Sequence, residues 1–390
     1  MKILRIQAEG LPLFKDGLDI VFYAQQRVYE DDKDNLTSLF SNVYLNPTIG
    51  FIGINASGKT SILNVICLVT DIINSNPINH SSAKSILGNT KKATINTFFY
   101  SNENTICRLQ TVITSEKNTN EGINYSIISE SLWIKFAKSI ATRKQLTDFT
   151  GISPVSVRDN TEEFLPADVS IIIAYNRKTK DNLTVASLLQ FTDVNYLPFA
   201  GEVSTDIIEF LDPTVERINI ESNPQTQKDI VHLKFKGKDE ITLYNFFDLN
   251  HYLSSGTIKG ILTFTLAWGI LADGGLLIID EIENHFNKEI VATLIRLFMD
   301  TKFNKNGGVL LYSTHYPELL DEYDRNDSIY ITRNNNGIRV ENLNNILKRN
   351  DIKKSDAYQS GILEGTTPSY EAYMKLKKSF ANTMAIGGQK

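Results

Sequence analysis

The chain has 390 residues, a formal net charge of −5, 42% hydrophobic residues and 22% charged residues. That length can bury one large core or two medium ones, and the balance excludes a disordered or fibrous chain and a surface that grips nucleic acid along its whole extent. The two cysteines, Cys67 and Cys107, form no C-x-x-C pair and sit among apolar residues, so they are expected to pack as small hydrophobes in a reduced compartment, with no disulfide and no structural zinc.

The opening residues MKILRIQAEGLPLF alternate like a strand and lack the apolar core of a secretory signal. Lys2–Ala8 and Leu18–Tyr23 flank Gly10, Pro12 and Asp16-Gly17, which predicts strand, turn, strand. Tyr29–Asn35 (YEDDKDN) reads as a solvated loop. Pro47–Ile52 is an apolar run that leads into GINASGKT, Gly53–Thr60, and Ser61–Ile73 then has the spacing of a buried helix. Strand, loop, helix is the context in which G-x-x-x-x-G-K-[ST] binds phosphates. The glycines let backbone N–H groups turn inward, the lysine reaches the β and γ phosphates, and the hydroxyl meets Mg²⁺. The candidate nucleotide-binding residues here are Gly53, Asn55, Ala56, Ser57, Gly58, Lys59, Thr60 and Ser61.

From Ala93 to Ala137 the runs ATINTFFY, TICRLQTVIT, INYSII and LWIKFA predict an antiparallel region. Between about 138 and 212, Val169–Tyr175 reads as strand, whereas Leu183–Gln190 and Thr205–Leu211 read as helical. Ile230–Phe235 and Glu240–Tyr244 flank KGKD as a hairpin. The richest apolar stretch, Gly260–Leu271, is too short to span a bilayer, so the protein is expected in the cytoplasm with no membrane partner.

Three later motifs complete the chemistry. Leu253-Ser254-Ser255-Gly256-Thr257 precedes the helical run Ile258–Ile270, and N–H groups at a helix start make an anion site. Leu276-Leu-Ile-Ile-Asp280-Glu281 is a buried strand that delivers two carboxylates, Asp280 to hold Mg²⁺ with Thr60 and Glu281 to orient or deprotonate water. Val309–His315 is a second such strand, whose terminal histidine can reach a γ-phosphate. Lys59, Glu281 and His315 are the candidate catalytic residues.

In this order the motifs resemble the ABC-type ATPases, in the branch that includes the SMC, RecF and OLD-like proteins. The G-x-N form of the loop (Gly53-Ile54-Asn55) and DEIENHFN (Asp280–Asn287), similar to the branch's D-E-P-E-N-H-L-H with Ile282 for proline, carry the likeness. YSTHYPELLD and SIYITRNNNGIRVENLNN extend it, and Ser355–Tyr373 resembles the tail of abortive-infection and related bacterial defence ATPases. The resemblance implies an α/β fold: a P-loop ATPase head with a mixed central sheet, an N-terminal antiparallel β region and an inserted, mainly helical lobe. The expected division is 1–137 and 230–345 for the two halves of the head, 138–229 for the insert and 346–390 for a tail.

The resemblance also implies ATP and Mg²⁺ as ligands. Ser254, Ser255 and Gly256 of one subunit would cap the ATP held by the loop of another, which makes the working unit a homodimer or larger. A separate effector in antiphage defence is the implied partner, and Gln110 and Gln190 are both candidates for the glutamine expected between the first two motifs. Two alternatives stand beside this reading: a RecF-like repair ATPase that binds duplex DNA through Lys135–Lys144, Asn176–Lys180 or Lys375–Lys378, and an ATP-bound scaffold with negligible turnover. A built-in nuclease is not expected, because Glu364-Gly365 is followed by no D-x-D, and no heptad pattern provides long SMC-like arms.

Overall fold

The apolar runs that end in the motif loops become neighbours in one sheet. Its strand order is Val185–Ser187, Leu276–Ile279, Val309–Thr314, Thr48–Ile52, Ile329–Asn334 and Ile338–Asn342; the first five are parallel and the last is antiparallel. This is a computed structural model, and it describes residues 1–118, 122–158, 165–190, 197, 200–223, 228–284, 286–363 and 370–387. The three central strands are buried at every residue, as sequences without polar alternation require. Successive side chains nevertheless serve different cores: Leu276, Ile278, Val309 and Leu311 face one, and Leu277, Ile279, Leu310 and Tyr312 face the other.

The first core is shared with a second sheet. Leu18–Val21, Lys2–Glu9, Ala93–Ser101, Thr105–Asn118, Gly122–Phe136 and Ser156–Arg158 pair in that order, all antiparallel. The helix Lys59–Ile73 contributes Ile62, Leu63, Val65, Ile66, Leu68, Val69, Ile72 and Ile73 to the core that both sheets line, so it is sandwiched and apolar nearly all round. The two sheets meet at Phe14: Ile338 N donates to Leu13 O at 2.8 Å and Lys15 N to Ile338 O at 3.1 Å. The two predicted runs INYSII and LWIKFA are one continuous strand, Gly122–Phe136.

The second core holds the helices Ser255–Asp273 and Lys288–Met299, and a small antiparallel sheet of Gly201–Glu202, Val215–Asn223, Lys228–Phe235 and Ile241–Leu243. Gly260 is where the helix Thr205–Leu211 crosses Ser255–Asp273, since a Cβ there would lie 2.6 Å from a Leu211 methyl. Of the helices, Ser255–Asp273 alone is long and apolar enough by length and composition to cross a membrane among the described residues, and 56% of its apolar window is buried inside the protein.

Among the described residues of 138–229, helices share the stretch with strands and do not dominate it. Thr205–Leu211 is helical as expected. Leu183–Gln190 instead supplies the strand Val185–Ser187, because the edge of the core sheet offers it a ladder: Leu276 N donates to Thr184 O and Leu188 N to Ile278 O, both at 2.8 Å. Val169–Tyr175 gives way to the helix Ile172–Thr179, whose start is pinned by the buried Glu130 carboxylate, which accepts from Ile171 N at 2.7 Å and Ser170 Oγ at 2.9 Å. The loop Tyr29–Asn35 holds a 3₁₀ turn, Asp31–Asn35, and is not wholly solvated, because Asp32 reaches the buried Arg325 at 3.1 Å. Glu364 and Gly365 lie outside the described residues.

Candidate nucleotide site

Parallel strands place their carboxyl ends together, and the site lies at that edge. Thr48–Ile52 delivers Gly53, Leu276–Ile279 delivers Asp280 and Glu281, and Val309–Thr314, between them, delivers His315. A cleft of about 650 Å³ opens there, lined by Asn55 to Ser61, Glu281, His315 and the ledge Pro12, Leu13, Asn334, Asn336, Gly337 and Ile338.

The loop needs its glycines for two different reasons. Gly58 sits at φ +101°, a conformation that favours glycine, and caps the helix Lys59–Ile73. Gly53 has no room: a Cβ would lie 2.2 Å from Thr332 Oγ1 and 2.4 Å from Ser57 Oγ. Those two hydroxyls are themselves 2.6 Å apart and buried, and Asn334 Nδ2 donates to Ala56 O at 3.1 Å. Thus the strand Ile329–Asn334 braces the loop through two hydrogen bonds.

Lys59 is buried, and its Nζ donates to Gly53 O at 2.9 Å and Ile54 O at 3.2 Å, with His315 Nδ1 at 3.2 Å. Burial lowers its pKa below the ordinary lysine value, and the carboxylates of Asp280, Glu283 and Glu281 oppose that fall. Asp280 is held at both oxygens, by Thr60 Oγ1 at 2.6 Å and by Ser313 Oγ. Glu281 has φ +47°, a strained value for a residue with a side chain, and its carboxylate lies 3.6 Å from His315 Nε2.

The Thr60 hydroxyl and the Asp280 carboxylate are hard oxygen donors side by side, and they fit Mg²⁺, which takes one or two carboxylates and completes its shell with water and phosphate. Lys59, Thr60, Asp280, Glu281 and His315 are therefore brought together. Ser254, Ser255 and Gly256 are not among the residues that line the cleft. They begin the helix Ser255–Asp273, where Ser254 Oγ accepts from Thr257 N at 3.0 Å. Of the two glutamines, Gln110 lies in the antiparallel sheet and donates to Asn96 Oδ1 at 3.1 Å, whereas Gln190 follows the core strand Val185–Ser187 beside Leu276–Ile279.

Sequence reasoning missed Pro12, Leu13, Glu283, Ser313, Thr332 and Asn334, which reach the site through contacts distant in the chain. Glu283, Ser313, Thr332 and Asn334 lie within stretches that carry the resemblance, but nothing local assigns them to the site. Within the basic cluster Lys135–Lys144, Lys135 is engaged internally, donating to Asp148 O at 2.6 Å, and burial lowers its pKa to about 8. Both cysteines are buried, and burial raises each thiol to about 11. His285 lies outside the described residues.

The profile of the family described as "AAA domain, putative AbiEii toxin, Type IV TA system" matches residues 49–321. Among solved structures, the SMC head domain from Thermotoga maritima is similar at 12% identity and a TM-score of 0.43, covering 88% of this chain and 99% of that one. An SMC head bound to the C-terminal winged-helix domain of ScpA is similar at 14% identity and a TM-score of 0.44, covering 89% of this chain and 100% of that one. No curated protein matches the chain.

Proposed function

The chain belongs to the family of AAA domains whose description names the AbiEii toxin and type IV toxin–antitoxin systems, and from that premise we propose that it is a Mg²⁺-dependent ATPase that closes on ATP as a dimer. The observation that carries the reading is the convergence of Lys59, Thr60, Glu281 and His315 on one cleft at the carboxyl ends of three neighbouring strands, with Asp280 bonded to Thr60 beside it. Each part has a task in phosphoryl transfer. The loop's N–H groups and Lys59 hold the phosphates, Thr60 and Asp280 hold the metal, Glu281 accepts the proton of the attacking water, and His315 reads the terminal phosphate. Mg²⁺, when bound, offsets the phosphate charge.

The position of Ser254 and Gly256 outside the cleft supports their action on ATP held by a second copy. In this reading ATP glues two subunits, and hydrolysis releases them. The cycle controls a separate effector in antiphage defence, in the cytoplasm. The family description supports a toxin–antitoxin setting for it.

The test is the mass of Glu281→Gln protein by light scattering with and without Mg²⁺-ATP, with Lys59→Ala as control. An ATP-dependent doubling or larger shift in the first variant alone is expected. A monomer that ignores ATP overturns the reading.

A further inference from the structure

Glu283 is a charged residue the chemistry above does not use. It is 8% exposed and lies in the turn that follows Glu281. One carboxylate oxygen, Oε1, accepts from the backbone N–H of His315 at 2.6 Å. The other, Oε2, is fully buried and has no hydrogen-bond partner. A buried carboxylate with one oxygen unpaired is costly, and an apolar residue would fill this place at less expense to the fold. Stability therefore does not account for Glu283, and the cost points to the site.

The surroundings show what it does there. The turn is joined to the end of the strand Val309–Thr314 by three bonds: Glu281 N to Ser313 Oγ at 2.7 Å, Ile282 N to Ser313 O at 3.0 Å, and His315 N to Glu283 Oε1. Only the third reaches the residue whose imidazole sits between Lys59 Nζ, Gly53 O and the Glu281 carboxylate. The same carboxylate is one of the three negative charges that oppose the fall in the Lys59 pKa. When Lys59 turns from the Gly53 and Ile54 carbonyls to a phosphate, His315 loses a neighbour, but its amide stays anchored.

We propose that Glu283 is a positioning residue for ATP hydrolysis, clamping the His315 main chain so that the imidazole keeps its place between the phosphate loop and Glu281. The proposal rests on the ATPase reading above. It makes Glu283 the link by which a movement of the turn Glu281–Asn284 is passed to His315.

The experiment combines steady-state ATPase kinetics and histidine-selective NMR on the full chain as wild type, Glu283→Gln, Glu283→Ala and His315→Ala, with the double variant Glu283→Gln/His315→Ala. The chain has five histidines, so the His315 ring signal is assignable by its loss in His315→Ala. We expect kcat to fall about tenfold in Glu283→Gln and about a hundredfold in Glu283→Ala, with KM for ATP within about threefold of wild type. The double variant should be no slower than His315→Ala, because both act as one unit. The His315 ring signal should move in nucleotide-free Glu283→Ala, and less in Glu283→Gln, whose amide oxygen can still accept from the His315 N–H. An unchanged kcat in Glu283→Ala, or losses that multiply in the double variant, overturns the proposal. If the wild type hydrolyses no ATP, the ATPase reading fails while the ring signal still decides: unmoved in Glu283→Ala it overturns the clamp, moved there and restored towards wild type in Glu283→Gln it upholds the clamp.

Discussion

Thr60 Oγ1 donates to Asp280 Oδ2 at 2.6 Å, which ties the first turn of the helix Lys59–Ile73 to the end of the strand Leu276–Ile279. Two hard oxygens so placed would supply part of an octahedral Mg²⁺ shell, with the remaining positions left to phosphate and water. Chelating the metal should therefore weaken ATP binding by about tenfold or more in the wild type, a change of ~1.4 kcal/mol for each factor of ten. In Asp280→Ala the difference between Mg²⁺ and EDTA should vanish, with binding in EDTA retained. Titration of a fluorescent ATP analogue under both conditions measures this, and an undiminished Mg²⁺ effect in Asp280→Ala would remove Asp280 from the metal site.

How much of this site the sequence discloses depends on how local each constraint is. Gly53, Gly58, Lys59 and Thr60 are legible because the loop's own backbone sets their spacing, and Asp280, Glu281 and His315 because buried parallel strands read as apolar runs with polar ends. Thr332 and Asn334 brace the loop across a chain separation of 275 residues or more, which no local pattern encodes. The misread elements have the same cause. Leu183–Gln190 carries enough helical spacing to mislead, and only the unpaired edge of Leu276–Ile279 turns it into a strand. Ile172–Thr179 needs Glu130, from a strand in the other sheet, at its start.

Lys2 anchors the back of the site. Its Nζ donates to Gly274 O, Asn306 O and, at 2.8 Å, Gly307 O, in the loops that feed the strands bearing Asp280 and His315. Burial lowers its pKa from 10.5 to about 8, against the opposing charge of Asp181. Between those two values the unfolded chain binds a proton that the folded chain has released, so stability rises with pH across that window. The wild type should thus gain on Lys2→Met between about pH 8 and about pH 10.5, by about 3 kcal/mol. Urea unfolding of both proteins across this range checks it, the comparison cancelling all other titrating groups. A stability difference independent of pH would show that Lys2 keeps an ordinary pKa.

The last prediction separates the two glutamines that the sequence leaves equal. Gln110 spends its amide on Asn96 within the antiparallel sheet, at 3.1 Å, and shares no strand with the cleft. Gln190 stands just beyond Leu188, whose N–H extends the ladder onto Ile278, two residues before Asp280. Gly53, Asp280 and His315 all stand at the carboxyl ends of core strands, so a glutamine that meets the metal or the attacking water is expected from that edge. Gln190→Ala should therefore lower kcat about tenfold or more with the Tm unchanged, whereas Gln110→Ala should leave kcat within about twofold. ATPase rates and thermal melts of the two variants side by side decide it. A loss confined to Gln110→Ala would place the antiparallel sheet, and not the edge beside Leu276–Ile279, in contact with the reacting phosphate.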